Sequence, residues 1–514
     1  MSAMAYWATV PEKYNIAVDV SGQNPDGVAM IYRRLGGADQ HVSWDWLSHR
    51  TGQFGSYLRQ RGVGPGDRVV VVLPASPDTA AAILGTLWIG AVLVPTSPLW
   101  SAEALGHRVR DCDPTVVLTT PDRAGDLGGS LPVPVTALTG DLLDGVSSAC
   151  EPEPTAADDP AAIYYTSGTS GPAKGIVHAH RWLLGHNEFG LCHELRRGEV
   201  FHGAGEWAWS LAKLLGPWRH RAIPFVFPQT GAFDPVALFG ALASAGVENV
   251  LLNPTVVRRL RTAMPDAGAR LGLTLRRAYS SSEPLPPDLA DWFAGQFGVP
   301  LYDYYGLTES YPMIGVLPGT TPPRGSMGRP LPGWEVALLG EDGEQVGPDT
   351  PGEICLRAGS NPQFPLGYWN RPHDTAAAFH GTWFHTGDTA VRDQEGYLYF
   401  LGRNDDVIIS SGYRIGPYDL EAVLDAHPAV AESAVVGDPD PDRGQIVHAY
   451  VVLVPGQESS PELTRDLQEH VRTRHSRFTY PRRIDYVTAL PRSTTNKIRR
   501  GALRSATTTR RSLP

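Results

Sequence analysis

Cysteine is scarce: Cys112, Cys150, Cys192 and Cys355 are the four in 514 residues, far apart and without a CxxC pair. That usage excludes a disulfide framework, offers no cysteine-based zinc site, and fits a reducing cytoplasm. Positive charge is in deficit, with 44 Lys and Arg against 54 Asp and Glu and a formal net charge of −10. A surface for the phosphate backbone of nucleic acid is therefore not expected. Long apolar runs are missing too. The most apolar stretch, 80–94, falls short of the roughly 20 residues that a membrane helix needs and contains Gly85 and Gly90. It reads as a buried helix entering a strand. Residues 1–13 lack the basic-then-apolar pattern of a secretory signal, so neither export nor membrane association is expected. Neither HExxH nor GxSxG occurs, which removes support for a zinc protease or a serine hydrolase. His178 and His180, like His380 and His385, lack a matched third ligand and read as core or solvated histidines.

What is present is the composition of an ordinary folded protein, 42% hydrophobic and 19% charged. Its length exceeds a single core, so two or more domains with a cleft between them are expected. Residues 68–98 read as strand, turn, helix and strand, a crossover unit of a parallel sheet. Strand-like runs recur at 115–118, 161–165, 222–227, 249–252 and 276–279, separated by helix-length stretches. The fold class is therefore α/β, a large N-terminal domain (1–404) of doubly wound mixed sheets. From about 325 to 404 the runs WEVALL, GEICLR and GYLYFLGR alternate apolar and polar residues, as a small antiparallel, barrel-like β subdomain would. Residues 405–514 read as a separate, smaller α+β domain, with a helix opened by Pro417 and a second after Pro461.

The most informative stretch directly follows the strand 161–165. Thr166, Ser167, Gly168, Thr169, Ser170 and Gly171 lead to Lys174 and Gly175. Glycine amides, hydroxyls and one ammonium converge there, which suits a polyphosphate. It is not a Walker A loop, because Ala173 and Gly175 stand where that motif needs Gly and Ser/Thr around the lysine.

This loop resembles the phosphate-loop signature of the adenylate-forming superfamily, which includes acyl-CoA synthetases, luciferases and peptide-synthetase adenylation domains. The resemblance extends in order through SSEP (281–284), YYGLTE (304–309), WFHTGD (383–388), GRNDD (402–406), SGYRIGP (411–417) and LPRSTTNK (490–497). The 403–417 run is most similar to the acetyl-CoA and medium-chain acyl-CoA synthetase branch. The resemblance implies ATP, Mg²⁺ and coenzyme A as cofactors and a small carboxylic acid as substrate, made into acyl-AMP and then a thioester.

Residue by residue, it implies that Tyr305 stacks on adenine, with Ser282, Glu283, Pro284, Asp303 and Tyr304 around the base, while Asp388 and Arg403 hold the ribose. Thr308 would contact the α-phosphate, Glu309 would hold Mg²⁺, and Lys174 would serve the phosphates. Lys497 would bridge carboxylate and phosphate in the first step. Asp405 would be the hinge on which the C-terminal domain swings, bringing Gly412 and Arg414 to the thiol. Trp207, Trp209, Asn253, Gly306 and Leu307 would line the acid site. Gly306 stands where the acetate-specific branch has tryptophan, which implies room for a medium-length or bulky acid.

Departures fall on the adenylating half. Leu307 replaces a glutamine, Ala204 and Glu206 replace the aspartate and glycine of the usual ADxGW stretch, and Asn496 replaces the glycine before the lysine. Three alternatives stay open: a thioesterification specialist using preformed acyl-adenylate, an enzyme loading a carrier-protein thiol or an amine, and an inactive nucleotide-binding module. A homodimer is left open as well.

Overall fold

The structure, a computed structural model, describes residues 10–504 apart from 25, 35–36, 166–172, 209–210, 229–232, 404–405, 407, 411–412, 441–443, 475–479 and 493–497. Four sheets carry the chain, and the class is mixed α/β.

The crossover unit of 68–98 forms as strand Arg68–Val72, helix Pro77–Trp88 and strand Val92–Pro95, the two strands parallel. Ser76 caps that helix, its hydroxyl accepting from the Thr79 amide, and Pro77 sits at the first turn where a missing N–H costs nothing. All four residues of Val92–Pro95 are buried, as expected of a strand covered on both faces. These strands lie inside a seven-stranded sheet with Val116–Thr119, Val135–Ala137, Pro160–Tyr165, Gly175–Ala179 and Gly367–Tyr368. Pro160–Tyr165 and Gly175–Ala179 pair antiparallel, so the glycine- and hydroxyl-rich loop joins two neighbouring strands.

The later strand-like runs build a second sheet rather than extending the first. Ile223–Val226, Asn249–Leu252, Arg277–Ser280 and Leu301–Tyr305 belong to a nine-stranded sheet. That sheet also takes Val28–Tyr32 and Gln40–Ser43 from near the start of the chain. Sequence periodicity sees each strand but not which sheet it joins, because both sheets demand the same apolar faces. Asn249–Leu252, Arg277–Ser280 and Leu301–Tyr305 run parallel side by side, so their C-terminal ends deliver SSEP and YYGLTE to one crevice.

The third sheet is antiparallel, built from Val336–Leu339, Gly352–Arg357, Phe379–His380, Trp383–Arg392 and Leu398–Arg403. Its pairing sets Asp388 opposite Arg403. The fourth lies wholly within 408–486: Ile408–Ser410, Tyr413–Ile415, Val430–Asp440, Gly444–Leu453 and Arg483–Tyr486. Helices Pro417–Asp425 and Pro461–Arg474 cover it, burying Leu420, Leu424, Leu463, Leu467 and Val471 in a core of its own. No described helix is long and apolar enough to cross a membrane.

Candidate active site

The crevice is one cavity of about 1620 Å³. Small-molecule sites run to roughly 300–1,000 Å³, so this one has space for a nucleotide and a second ligand together. Lys174, Asn253, Ser282, Glu283, Pro284, Asp303, Tyr304, Tyr305, Gly306, Leu307, Thr308, Glu309, Asp388 and Arg403 all line it. Thr166, Ser167, Gly168, Thr169, Ser170, Gly171, Trp209, Asp405, Gly412 and Lys497 lie outside the described residues, as does the side chain of Arg414. Arg492 and Ile498, on either side of residues 493–497, bridge to one another and both line the cavity.

At one end, Tyr305 donates its hydroxyl to Asp388 Oδ2 at 2.7 Å, and Arg403 Nη1 lies 3.5 Å from Asp388 Oδ1. The residue expected to stack on the base and the two expected at the ribose thus form one cluster. Asp388 is buried at 4% exposure, which makes its bond and ion pair stronger than surface ones. Asp303 accepts from its neighbour's amide, Tyr304 N at 3.0 Å, and burial pushes its carboxyl up to about 8. Ser282 is held at φ 77, a left-handed conformation that a side chain rarely adopts. Glu283 braces that turn, both its oxygens accepting from the Thr255 hydroxyl at 2.9 and 2.8 Å.

At the phosphate-loop end, Lys174 Nζ donates to Asp374 Oδ1 at 2.7 Å and stands 5.6 Å from the Tyr368 ring centroid. Tyr368 donates its hydroxyl to Glu309 Oε1 at 2.8 Å. Burial raises the Glu309 carboxyl's pKa, against the Tyr368 bond and the Arg403 and Lys174 charges, which lower it. A carboxylate short of water, with one lone pair occupied and others open to the cavity, suits a hard cation. His178, fully buried with its pKa pushed down to about 4 by burial, shares its Nε2 with the Thr308 carbonyl at 3.0 Å and so fixes the YYGLTE turn.

Three expectations change. Trp207 joins the main hydrophobic core at 8% exposure and is not among the residues lining the cavity. A large indole gains most where apolar neighbours surround it, and Trp182 lines the cavity instead. Gly306 does line the cavity, but the space where a side chain would project is taken: a Cβ there would meet Tyr311 Cδ2 at 2.6 Å and Tyr311 Cα at 2.9 Å. His385 does have partners, since its Nδ1 lies 2.9 Å from Glu353 Oε2 and 3.5 Å from Cys355 Sγ. Glu353 also accepts from the Gly387 amide at 2.8 Å, so this group shapes the turn that presents Asp388. Tyr368, Asp374 and Tyr311 escape sequence reading because each stands outside the quoted motifs, while His178 reads there only as a core or solvated histidine. Only the fold brings them in.

A crevice at the ends of parallel strands, with a nucleotide-sized cavity lined by Lys174 and Glu309, is the site expected of an adenylate-forming enzyme. The chain belongs to the AMP-binding enzyme family, which it matches over residues 18–369, with the AMP-binding enzyme C-terminal domain matched over 419–497. It is 33% identical over 517 residues to an uncharacterized acyl-CoA ligase, YtcI, of Bacillus subtilis (strain 168), covering 96% of each chain. It is 30% identical over 504 residues to the acetyl-coenzyme A synthetase of the same organism, covering 92% of this chain and 86% of that one. The structure is similar to that of the anthranilate CoA ligase AuaEII in complex with anthranoyl-AMP, with a TM-score of 0.90, 27% identity and full coverage of both chains. The chain is accordingly an AMP-forming acid–thiol ligase, an acyl-CoA synthetase working through an acyl-adenylate, with ATP, Mg²⁺ and coenzyme A as its cofactors.

Proposed function

We propose that the protein activates a medium-length, cyclic or otherwise bulky carboxylic acid and transfers the acyl group to coenzyme A. The observation that carries this reading is the one cavity shared by Lys174, Tyr305, Glu309, Asp388 and Arg403, which Arg492 and Ile498, on either side of residues 493–497, also line.

A carboxylate is a poor electrophile, so the first step makes it one. Its oxygen attacks the α-phosphorus of ATP, the bond to pyrophosphate breaks, and acyl-AMP remains. Tyr305 and Asp303 hold the base, Asp388 and Arg403 the ribose, and Lys174 with the loop 166–171 the polyphosphate. Exchanging Asp374 for phosphate oxygens would keep the Lys174 ammonium paired throughout. Glu309 would hold Mg²⁺, which supplies charge neutralisation between the phosphates. Lys497 would serve to offset the repulsion between carboxylate and α-phosphate.

In the second step the thiol sulfur of coenzyme A attacks the acyl carbonyl, its proton is lost, and AMP leaves. Lys497 must withdraw for the thiol to enter. The domain 405–514 would turn about Asp405 to bring Gly412 and Arg414 to that face. The acid's bulk is supported by the size of the cavity and by its aromatic lining beyond the nucleotide, Tyr164 and Trp182 among it.

Acid-dependent pyrophosphate–ATP exchange over a wide acid panel tests the first step. Exchange with a bulky acid and none with acetate is the expected result. Thioester formed only from supplied acyl-adenylate, with no exchange for any acid, would point instead to a thioesterification specialist.

A further inference from the structure

The cavity wall carries a charge to which the adenylation reading gives no role. Lys213 is the second residue of the helix Ala212–Arg219, and it is half-buried and faces the cavity. Its stem runs along the backbone of 203–205. A Cβ on Gly203 would lie 2.8, 2.9 and 3.0 Å from Lys213 Cβ, Cγ and Cδ. A Cβ on Gly205, where φ is 96, would lie 3.4 Å from the ammonium nitrogen itself. The two glycines thus form a slot that passes a lysine. Among the described residues the ammonium donates to one acceptor, the Ala204 carbonyl, and pairs with no carboxylate. Burial pulls its pKa down to about 8.

An ammonium has three donors, so two remain for whatever enters the cavity. A half-buried cation without a counter-charge is costly, and a ligand oxygen that accepts from it recovers part of that cost. Nearby, Glu206 also lines the cavity, and its Oε2 is buried without a partner among the described residues. The same cavity is lined by Tyr164, Trp182, Leu307 and Tyr311, with His178 and His186 packed against Trp182. One flat or cyclic body with a polar atom at one place fits such a lining.

We propose that Lys213 is a specificity-determining residue, and that the natural acid carries a second oxygen function, a ring hydroxyl, keto oxygen or second carboxylate, that accepts from its ammonium. This rests on the acid–CoA ligase reading of the same cavity. Substituents that only donate, such as an amino group, gain nothing from Lys213.

The test is kcat/KM in pyrophosphate exchange for matched acids: benzoate against its three hydroxybenzoates, cyclohexanecarboxylate against 4-oxocyclohexanecarboxylate, and hexanoate against adipate. In the natural protein at least one oxygenated member should exceed its parent by about tenfold, the discrimination expected of one good hydrogen bond to a charged group. Lys213→Met should collapse that ratio towards one. A purely structural lysine would lower both members of a pair alike, so an unchanged ratio in Lys213→Met overturns the proposal. Should Lys213→Met fail to fold, Lys213→Gln gives the same comparison. Preference for the parent in every pair of the natural protein also overturns it. Absence of exchange with every acid, in contrast, overturns the ligase reading itself.

Discussion

The two ends of the cavity are built in different ways. At the end proposed to hold the nucleotide, Ser282, Glu283, Asp303, Tyr305, Thr308 and Glu309 stand in or just beyond neighbouring parallel strands, and Asp388 and Arg403 face each other across one antiparallel pair. Most contacts come from short contiguous runs. At the end proposed for the acid, Tyr164, Trp182, Lys213, Leu307 and Tyr311 come from separate elements, each giving one or two side chains. A ligand common to a whole family can be held by fixed motifs, whereas a pocket of scattered side chains can be altered one residue at a time. The cofactor is therefore readable from sequence and the acid is not.

The contrast predicts that changes at the nucleotide end act on every acid alike. The largest effect is expected from Lys497→Ala, which should lower pyrophosphate exchange by about 10²–10³-fold whichever acid is used, since it removes a charge that acts in the transition state. Thioester formation from a supplied acyl-adenylate should suffer far less, and rapid-quench measurement of the two half-reactions separates them. Asp388→Ala comes next. It strips Tyr305 and Arg403 of a shared buried partner, and the KM for ATP should rise by about 10–100-fold on the ~1.5–3 kcal/mol carried by hydrogen bonds to charged groups. A rise confined to some acids would break the comparison.

That division also explains what could be read in advance. The crossover unit, the strand runs and the antiparallel third sheet follow from apolar periodicity and turn residues, and the structure carries them. Assignment of strands to two sheets could not be read, because Val28–Tyr32 pairs with Ile223–Val226 nearly two hundred positions away and nothing local marks it. The residues to which the family resemblance gives nucleotide roles stand in short motifs, and the described ones meet in one cavity. Trp207 and Gly306 were read by position alone, and position does not tell whether an indole turns to a cavity or a core, nor that Tyr311 fills the glycine's space. Lys213 looks in sequence like one more helix lysine, and only its slot between Gly203 and Gly205 distinguishes it.

Smaller effects sharpen the acid end. Gly306→Ala should destabilise the protein by about 1–3 kcal/mol, because its Cβ would collide with Tyr311 backbone as well as ring, and thermal unfolding reads this directly. Lys213 also predicts a pH signature. Its folded pKa, about 8, lies below the ordinary lysine value of 10.5, so folding sheds a proton between those values and stability gains from Lys213 as pH rises through that window. The gain is complete above the upper value and lost as pH falls through about 8. His202 stands close by but is not expected to titrate there, since burial pushes it down to about 4, while burial raises the neighbouring Glu206 carboxyl towards that window. Urea unfolding at pH 7 and pH 9.5 should show the natural protein gaining stability relative to Lys213→Met, and parallel behaviour would count against the buried ammonium. The smallest effect is expected at Asp374→Asn: the Lys174–Asp374 pair is 41% and 34% exposed, so its loss should cost no more than about 1 kcal/mol by the same denaturation assay.

The central claim is that one cavity joins an acid to AMP and then to sulfur. Mass spectrometry of the products from ATP, Mg²⁺, coenzyme A and a mixed library of cyclic and linear acids tests it most directly. The account predicts AMP and one acyl-CoA in equal amounts, with a bulky acid consumed and acetate left. ATP bound but unchanged in the presence of every acid, or ADP as the nucleotide product, would contradict it.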